Sequence, residues 1–132
     1  MTVYVESSAL LNLYLDEPES ADAAEMLSGE HWTSGRHTLV EVRRNLARAL
    51  DDDALEVARR RFASDWERID VVEVDERTCA LAANLAESTG LRSLDALHLG
   101  AAESLDVNIP LITFDRRLAG AARSRGWTVL PE

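Results

Sequence analysis

Lysine is absent from this sequence. All 14 basic residues are arginine, and 24 aspartates and glutamates outnumber them, which gives a net charge of −10. A chain this acidic repels nucleic acid on average. Binding to RNA or DNA would therefore require metal ions that neutralise the binding site, or arginines that cluster locally.

Cysteine, membrane segments and glycine-rich phosphate-binding motifs are also scarce or missing. Cys79 is the only cysteine, which excludes an intrachain disulfide and a thiolate zinc site. It lies in an apolar helical stretch, so we predict a small buried side chain rather than a nucleophile. No apolar run approaches the roughly 20 residues that span a bilayer, and residues 1–5 do not resemble a signal peptide. These absences predict a cytoplasmic protein with no membrane association, and argue against P-loop and dinucleotide-binding domains.

The hydrophobic pattern alternates between strand and helix periods. Strands are predicted at residues 3–5, 31–34, 69–74, 109–113 and 127–130, and helices at residues 9–15, 18–27, 38–50, 51–66, 75–88, 94–105 and 115–125. We expect Ser93 to cap the helix over 94–105, and Gly90 to close the helix before it. Most strands are uniformly apolar, which is typical of a parallel sheet covered on both faces. The sequence thus predicts one domain over residues 1–132, a three-layer α/β/α sandwich around a mainly parallel sheet.

Four acidic residues occupy positions from which they could converge. Glu6 directly follows the first predicted strand, and Asp115 follows the end of the strand at 109–113. Asp95 lies in the first turn of a helix, and Glu41 lies in the first half of another. Ligands of parallel sheets bind at the carboxyl ends of the strands. Because clustered carboxylates repel one another, we predict that Mg²⁺ or Mn²⁺ binds them.

Each of these acids also has a structural explanation. Asp95 could interact with the helix dipole, and Asp115 could be an N-cap. Glu41 could pair with Arg44 or Arg48 on its own helix. For a single acid the two explanations are about equal, but the two strand-end positions favour a shared site.

The histidines and tryptophans give weaker signals. His98 follows Asp95 by one helical turn, and we predict that it packs within the fold, because the proposed site is rich in oxygen ligands. His31 and His37 have no partner motif. The tryptophans are expected in the core or at an interface rather than as base-stacking platforms; they are Trp32, Trp66 and Trp127.

Four segments of the chain resemble a known family. They are Val5-Glu6-Ser7-Ser8-Ala9-Leu10, Leu39-Val40-Glu41-Val42-Arg43-Arg44, Leu94-Asp95-Ala96-Leu97-His98-Leu99 and Ile112-Thr113-Phe114-Asp115-Arg116-Arg117-Leu118. The last two are the more specific. Together with the chain length and the order of strands and helices, they make the whole sequence similar to PIN-domain ribonucleases of the VapC toxin type.

The resemblance implies a Mg²⁺ or Mn²⁺ site and two kinds of protein partner. The implied site residues are the carboxylates Glu6, Glu41, Asp95 and Asp115, with Ser8 and Thr113 holding them through hydrogen bonds. Proteins of this type usually form homodimers. They are usually silenced by a cognate antitoxin that covers the active site, often with a basic side chain.

One residue departs from the family pattern. The first acid of the family is nearly always aspartate, and here it is Glu6. The extra methylene moves the carboxylate by roughly a bond length or more, whereas Mg²⁺ demands near-ideal octahedral geometry. The resemblance leaves open whether Glu6 binds metal through water, favours Mn²⁺ or lowers activity.

The implied function is metal-dependent hydrolysis of RNA phosphodiester bonds by the toxin of a toxin–antitoxin pair. Arginines beside the proposed acids are candidates for contact with the RNA backbone, with surface salt bridges as their alternative role: Arg43, Arg44, Arg92, Arg116 and Arg117. A rival interpretation is that Glu6 has inactivated the site and left a domain that binds RNA or a partner. Receiver and haloacid-dehalogenase domains rank low, because both place a lysine near the phosphoryl group.

Overall fold

A computed structural model of the chain describes residues 1–105 and 107–132. Within these residues the strands are β1 (Thr2–Val5), β2 (His31–Gly35), β3 (Asp70–Val72), β4 (Leu111–Ile112) and β5 (Val129–Leu130). The helices are α1 (Ser7–Leu11), α2 (Ser20–Leu27), α3 (Thr38–Ala49), α4 (Asp52–Trp66), α5 (Glu76–Thr89), α6 (Ser93–Glu103) and α7 (Arg116–Ser124).

The strands form one sheet in the order β3-β2-β1-β4-β5, and every neighbouring pair is parallel. The chain runs from β1 outward through β2 to β3, and then crosses to the other side of β1 for β4 and β5. The strand order therefore reverses between β1 and β4. Ligands of open α/β sheets bind at such a switch point, outside the carboxyl ends of the strands.

The two faces of the sheet carry separate hydrophobic cores. Tyr4 of β1 packs into the core shared with α5, α6 and α7, whereas Val3 and Val5 pack into the core shared with α1, α3 and α4. Successive side chains of a strand point to opposite faces, so β1 is buried on both sides. The predicted three-layer α/β/α sandwich with a parallel sheet is confirmed.

Some predicted boundaries were wrong. The helix predicted at 9–15 begins earlier, as α1, because the Glu6 carboxylate caps it by accepting the Ser8 N–H; it also ends earlier, at Leu11. Ser93 is the first residue of α6 and not its cap; the N-cap is Arg92, which makes no side-chain capping bond. Gly90 does close α5, in the left-handed conformation at φ 76°. The strand predicted at 109–113 shortens to β4, since Pro110 has no N–H to donate.

Cys79 is exposed, which contradicts the prediction of a buried side chain. The inward face of α5 is formed by Thr78, Ala82 and Leu85, and Cys79 lies beside that face. The tryptophans are partly buried and pack against the cores, as predicted: Trp32, Trp66 and Trp127.

The helix that carries Asp95 is held tightly against its neighbour. Gly100 of α6 lies so close to α5 that an added Cβ would meet the Ala82 backbone nitrogen at 3.0 Å. Almost the whole of α6 after its first turn is buried. No helix among the described residues has the length and apolar character needed to cross a membrane.

Candidate functional site

Three of the predicted acids lie at the point where the strand order reverses. Glu6 follows β1, and its N–H donates to the Ile112 carbonyl of β4 at 3.0 Å. Asp115 follows β4 and caps α7 by accepting the Leu118 N–H at 3.0 Å. Asp95 lies in the first turn of α6 and is close enough to Asp115 and Glu6 to be affected by their charges. We call Glu6, Asp95 and Asp115 the acidic cluster.

Glu6 is buried and held by three donors. The Ser8 N–H donates to its Oε1 at 3.0 Å, the Thr113 hydroxyl donates to the same atom at 2.7 Å, and the Ser8 hydroxyl donates to it as well. All hydrogen bonds that the described residues make to this carboxylate end on Oε1. The second oxygen, Oε2, therefore remains free to bind a cation.

Burial and neighbouring carboxylates shift the pKa of Asp95. Burial raises the pKa of Asp95 to about 6; the charges of Asp115, Glu6 and, to a smaller extent, Glu41 add to this rise, while His98 opposes it. Three carboxylates that repel one another in a partly buried site fit a hard divalent cation, which favours oxygen ligands and removes the repulsion. The donor set thus suits Mg²⁺ or Mn²⁺.

Arginines surround the open side of this cluster. Arg92, Arg116 and Arg117 line one cleft together with Asp95 and Asp115. All three arginines are exposed. The structure separates Arg43 from them, because it lines a different groove between α3 and α4 with Phe62 and Trp66.

Glu41, the fourth predicted acid, has different partners. Its Oε1 accepts the Ser7 hydroxyl at 2.7 Å and lies 2.7 Å from His98 Nε2. Burial opposes ionisation, but the contacts with His98 and Ser7 and the nearby His37 outweigh it and lower the pKa of Glu41. The structure does not support pairing of Glu41 with Arg44 or Arg48. Among the described residues, the hydrogen bonds of the Glu41 carboxylate go to Ser7 and His98.

His37 completes a second group beside the acidic cluster. Its ring centroid lies 4.1 Å from that of His98, and its Nε2 lies 3.7 Å from Glu41 Oε1. Burial and the neighbouring His98 lower the pKa of His37 to about 4, against the opposing effect of Glu41. We call His37, Glu41 and His98 the histidine pocket.

The histidine pocket is tied to the sheet by Tyr4. The Tyr4 hydroxyl lies 2.9 Å from His98 Nδ1 and accepts the Gly35 N–H at 3.1 Å. His98 is fully buried, as expected for a packing residue, but its two nitrogens are engaged by Tyr4, Ser7 and Glu41.

Sequence reasoning missed His37 and Tyr4. The signal for His37 was present, because residues four apart on a helix share a face and Glu41 follows it at that spacing. No sequence pattern pointed to Tyr4. Among the residues that the structure describes, the one set of three or more metal-ligand side chains with atoms within 4.8 Å of each other is the histidine pocket.

Comparisons with a family model and with curated proteins point to the same family. The PIN domain family matches residues 3–124. The chain is 35% identical over 129 residues to Ribonuclease VapC46 of Mycobacterium tuberculosis, covering 97% of this chain and 95% of that protein. It is 33% identical over 131 residues to Ribonuclease VapC47 of the same species, covering 95% and 93%.

Solved structures share the fold at lower sequence identity. Mycobacterium tuberculosis VapC20, described as a Sarcin-Ricin loop cleaving toxin, superposes with a TM-score of 0.70 at 16% identity, covering 90% of this chain and 94% of that one. A toxin-antitoxin complex from Klebsiella pneumoniae gives a TM-score of 0.69 at 17% identity, covering 89% and 91%.

Proposed function

This chain belongs to the PIN-domain family, and on that premise we propose that it is a metal-dependent endoribonuclease, the toxin of a toxin–antitoxin pair. The observation that carries the proposal is the acidic cluster: Glu6, Asp95 and Asp115 meet at the switch point of the sheet, where burial and their mutual repulsion raise the pKa of Asp95 to about 6. Curated relatives that match nearly the whole chain are named ribonucleases, which supports hydrolysis of RNA.

In this proposal the acidic cluster holds Mg²⁺ or Mn²⁺. The bound cation would supply a more acidic water molecule and stabilise the charge that develops on the phosphate. Ser8 and Thr113 fix one oxygen of Glu6 and leave the other for the cation. Glu41 is positioned by His98 and Ser7 at the edge of the cluster, and one carboxylate of the site accepts the proton of the attacking water.

The arginines of the cleft offset the repulsion that the acidic chain would exert on RNA. Arg92, Arg116 and Arg117 place three positive charges around the acids, although the whole chain has a net charge of −10. Arginine binds phosphate through parallel hydrogen bonds, so these side chains would hold the RNA backbone on either side of the scissile bond. The excess of acidic residues elsewhere suits a basic partner, and toxin-antitoxin complexes among the structural neighbours support an antitoxin in that role.

The test is cleavage of total cellular RNA by the purified chain, freed of any antitoxin, with Mg²⁺, Mn²⁺ or a chelator. We expect discrete fragments that require the cation and that disappear with Asp95→Asn. Asp22→Asn is the matched control, because Asp22 is an exposed acid in the first turn of α2. Cleavage that persists with Asp95→Asn, or in chelator, would overturn the proposal.

Glu6→Asp separates an active site from an inactivated one. Because Ser8 and Thr113 already hold Glu6 firmly, we expect Glu6→Asp to change the cleavage rate by less than about tenfold, or about 1.4 kcal/mol in barrier. A silent natural chain that gains strong metal-dependent cleavage with Glu6→Asp would instead support the rival interpretation of an impaired, binding-only domain.

A further inference from the structure

The histidine pocket contains two imidazoles, His37 and His98, that the acidic cluster does not use. One ring nitrogen from His37, one from His98 and a carboxylate oxygen of Glu41 lie within 4.8 Å of one another. From this geometry we propose that the histidine pocket binds a transition-metal ion of the Zn²⁺ class, at a site separate from the Mg²⁺ or Mn²⁺ site of the acidic cluster.

The two groups differ in ligand chemistry. Two imidazoles and one carboxylate, with a fourth position open to water, form a common ligand set for Zn²⁺. Imidazole nitrogen suits Zn²⁺, Cu²⁺ and Ni²⁺, whereas Mg²⁺ favours oxygen alone. With Mg²⁺ in large excess, the acidic cluster would therefore hold Mg²⁺ and the histidine pocket the transition metal.

The distances in the pocket are close to those of a tetrahedral ion. Zn²⁺ holds nitrogen and oxygen at about 2.0–2.2 Å, which places neighbouring ligand atoms about 3.3–3.6 Å apart. His98 Nε2 lies 2.7 Å from Glu41 Oε1, and His37 Nε2 lies 3.7 Å from the same oxygen. These two distances lie on either side of that range, so small side-chain rotations would seat an ion.

His37 gives an observation that is independent of the ligand distances. Both of its ring nitrogens are buried, and neither makes a well-formed hydrogen bond. The Leu94 backbone lies near the ring and favours its protonated form, which acts to raise the pKa of His37. The side chain is only 11% exposed. A buried polar group without a good partner costs free energy, which a metal bond would offset. The ring occupies space that Gly35 leaves open, because a Cβ on Gly35 would lie 2.6 Å from His37 Cε1.

His98 is oriented in the manner of a metal-binding histidine. Such a residue usually presents its second nitrogen to an oxygen, and His98 Nδ1 lies 2.9 Å from the Tyr4 hydroxyl. Without metal, Tyr4 donates to Nδ1, and Nε2–H donates to Glu41. With metal on Nε2, the proton lies on Nδ1 and is donated to the Tyr4 hydroxyl.

Occupancy of the pocket would also affect the acidic cluster, a consequence that depends on the proposed ribonuclease function. Glu41 would be held toward the histidines and away from the acidic cluster, because its Oε1 would be bound between the two histidines. Zn²⁺ in the histidine pocket would then slow RNA cleavage without displacing the cation of the acidic cluster.

The test is direct binding of Zn²⁺ to the full chain in a large excess of Mg²⁺, by calorimetry, with Co²⁺ as a probe whose visible absorption reports nitrogen ligands. We expect one Zn²⁺ per chain. His37→Asn should weaken its affinity by at least about tenfold. His31→Asn is the matched control, because His31 is exposed and contacts Asp70 at the other end of the sheet, and it should bind as the natural chain does.

Asp95→Asn distinguishes the two sites. We expect this variant to keep Zn²⁺ binding while it loses cleavage, so the two proposals can fail separately. Equal Zn²⁺ affinity in the natural chain and His37→Asn, or loss of Zn²⁺ binding with Asp95→Asn, would overturn the pocket site. If His37→Asn does not fold, nitrogen NMR of the natural chain decides: Zn²⁺ must shift the Nε2 resonances of His37 and His98 but not those of His31.

Discussion

The acidic cluster and the histidine pocket share helix α6, yet they shift the pKa of a partly buried carboxylate in opposite directions. Asp95 and His98 are one helical turn apart, and each faces one of the two groups. Burial raises the pKa of Asp95 to about 6, with help from Asp115 and Glu6. Burial also opposes ionisation of Glu41, but His98 and Ser7 lower its pKa. The neighbouring groups, more than the extent of burial, decide whether the pKa of the carboxyl group rises or falls.

This difference separates a site whose carboxylates repel one another from one whose carboxylate is stabilised by hydrogen-bond donors. The carboxylates of the acidic cluster repel one another, so keeping them together costs the folded state free energy. In the histidine pocket, Glu41 is satisfied by its donors, and the group without a well-formed hydrogen bond is instead the His37 imidazole. The two proposals thus assign different metals to the two groups: a hard cation to the acidic cluster, and an ion of the Zn²⁺ class to the histidine pocket.

The largest effect is expected from loosening Glu6 in the acidic cluster. Thr113→Val keeps the shape of the side chain but removes the hydroxyl that donates to Glu6 Oε1 at 2.7 Å. Supporting residues of this kind are typically worth about 10–100-fold in metal affinity or activity. We expect a loss of that size in RNA cleavage, measured at saturating RNA. Thr128→Val, at an exposed position before β5, serves as control, and equal rates for both variants would show that Glu6 needs no such support.

Removing the charge of Glu41 should destabilise the histidine pocket. The pKa of Glu41 is lowered in the folded state, so its ionised form stabilises the fold at neutral pH, and that contribution disappears as the pH falls through its folded pKa. Glu41→Gln should therefore lower the free energy of unfolding by about 1–2 kcal/mol at pH 7, since hydrogen bonds to a charged acceptor become neutral ones. Denaturant titration against Glu56→Gln, an exposed acid of α4, measures the loss. No difference between the two would contradict the pocket's role in holding Glu41.

Metal binding at the acidic cluster should weaken in mild acid. The cation binds the ionised carboxylate, and Asp95 takes up a proton below a pKa of about 6. Because proton and cation compete, we expect Mn²⁺ affinity to fall by up to about tenfold between pH 6 and pH 5, measured by calorimetry. Asp95→Asn should abolish most of this dependence. If Mn²⁺ affinity depended on pH equally in the natural chain and in Asp95→Asn, the titrating group would be a residue other than Asp95.

Asp95→Asn should also stabilise the metal-free fold, opposite in sign to Glu41→Gln. The pKa of Asp95 is raised above its ordinary value, so the ionised form is penalised in the folded state above about pH 6. Allowing for partial exposure, we expect a gain of about 1 kcal/mol in free energy of unfolding at pH 7.5 with chelator. The gain should shrink at pH 5, where Asp95 is already protonated. A loss of stability at pH 7.5 would contradict a repulsive cluster.

Sequence patterns located the acids of the cluster because their positions follow from local rules. Glu6 and Asp115 come directly after strands, and parallel strands bring such residues to one edge of the sheet. Asp95 was visible as an acid within an apolar stretch. Cys79 was misplaced, because periodicity predicts a helix more reliably than it predicts which neighbouring position faces the core. The earlier start of α1 was missed because the cap is the Glu6 carboxylate itself.

The sequence by itself determined the class of fold, the order of strands and helices, and the acids at the carboxyl ends of β1 and β4, since these depend on periodicity and on the residues directly after each strand. Only the tertiary structure decided the partners of Glu41. Tyr4 and His98 are 94 residues apart, and Glu41 and His98 are 57 apart, yet they make direct contacts. Contacts of this kind depend on how α3 and α6 pack against opposite faces of one sheet, which no local pattern specifies.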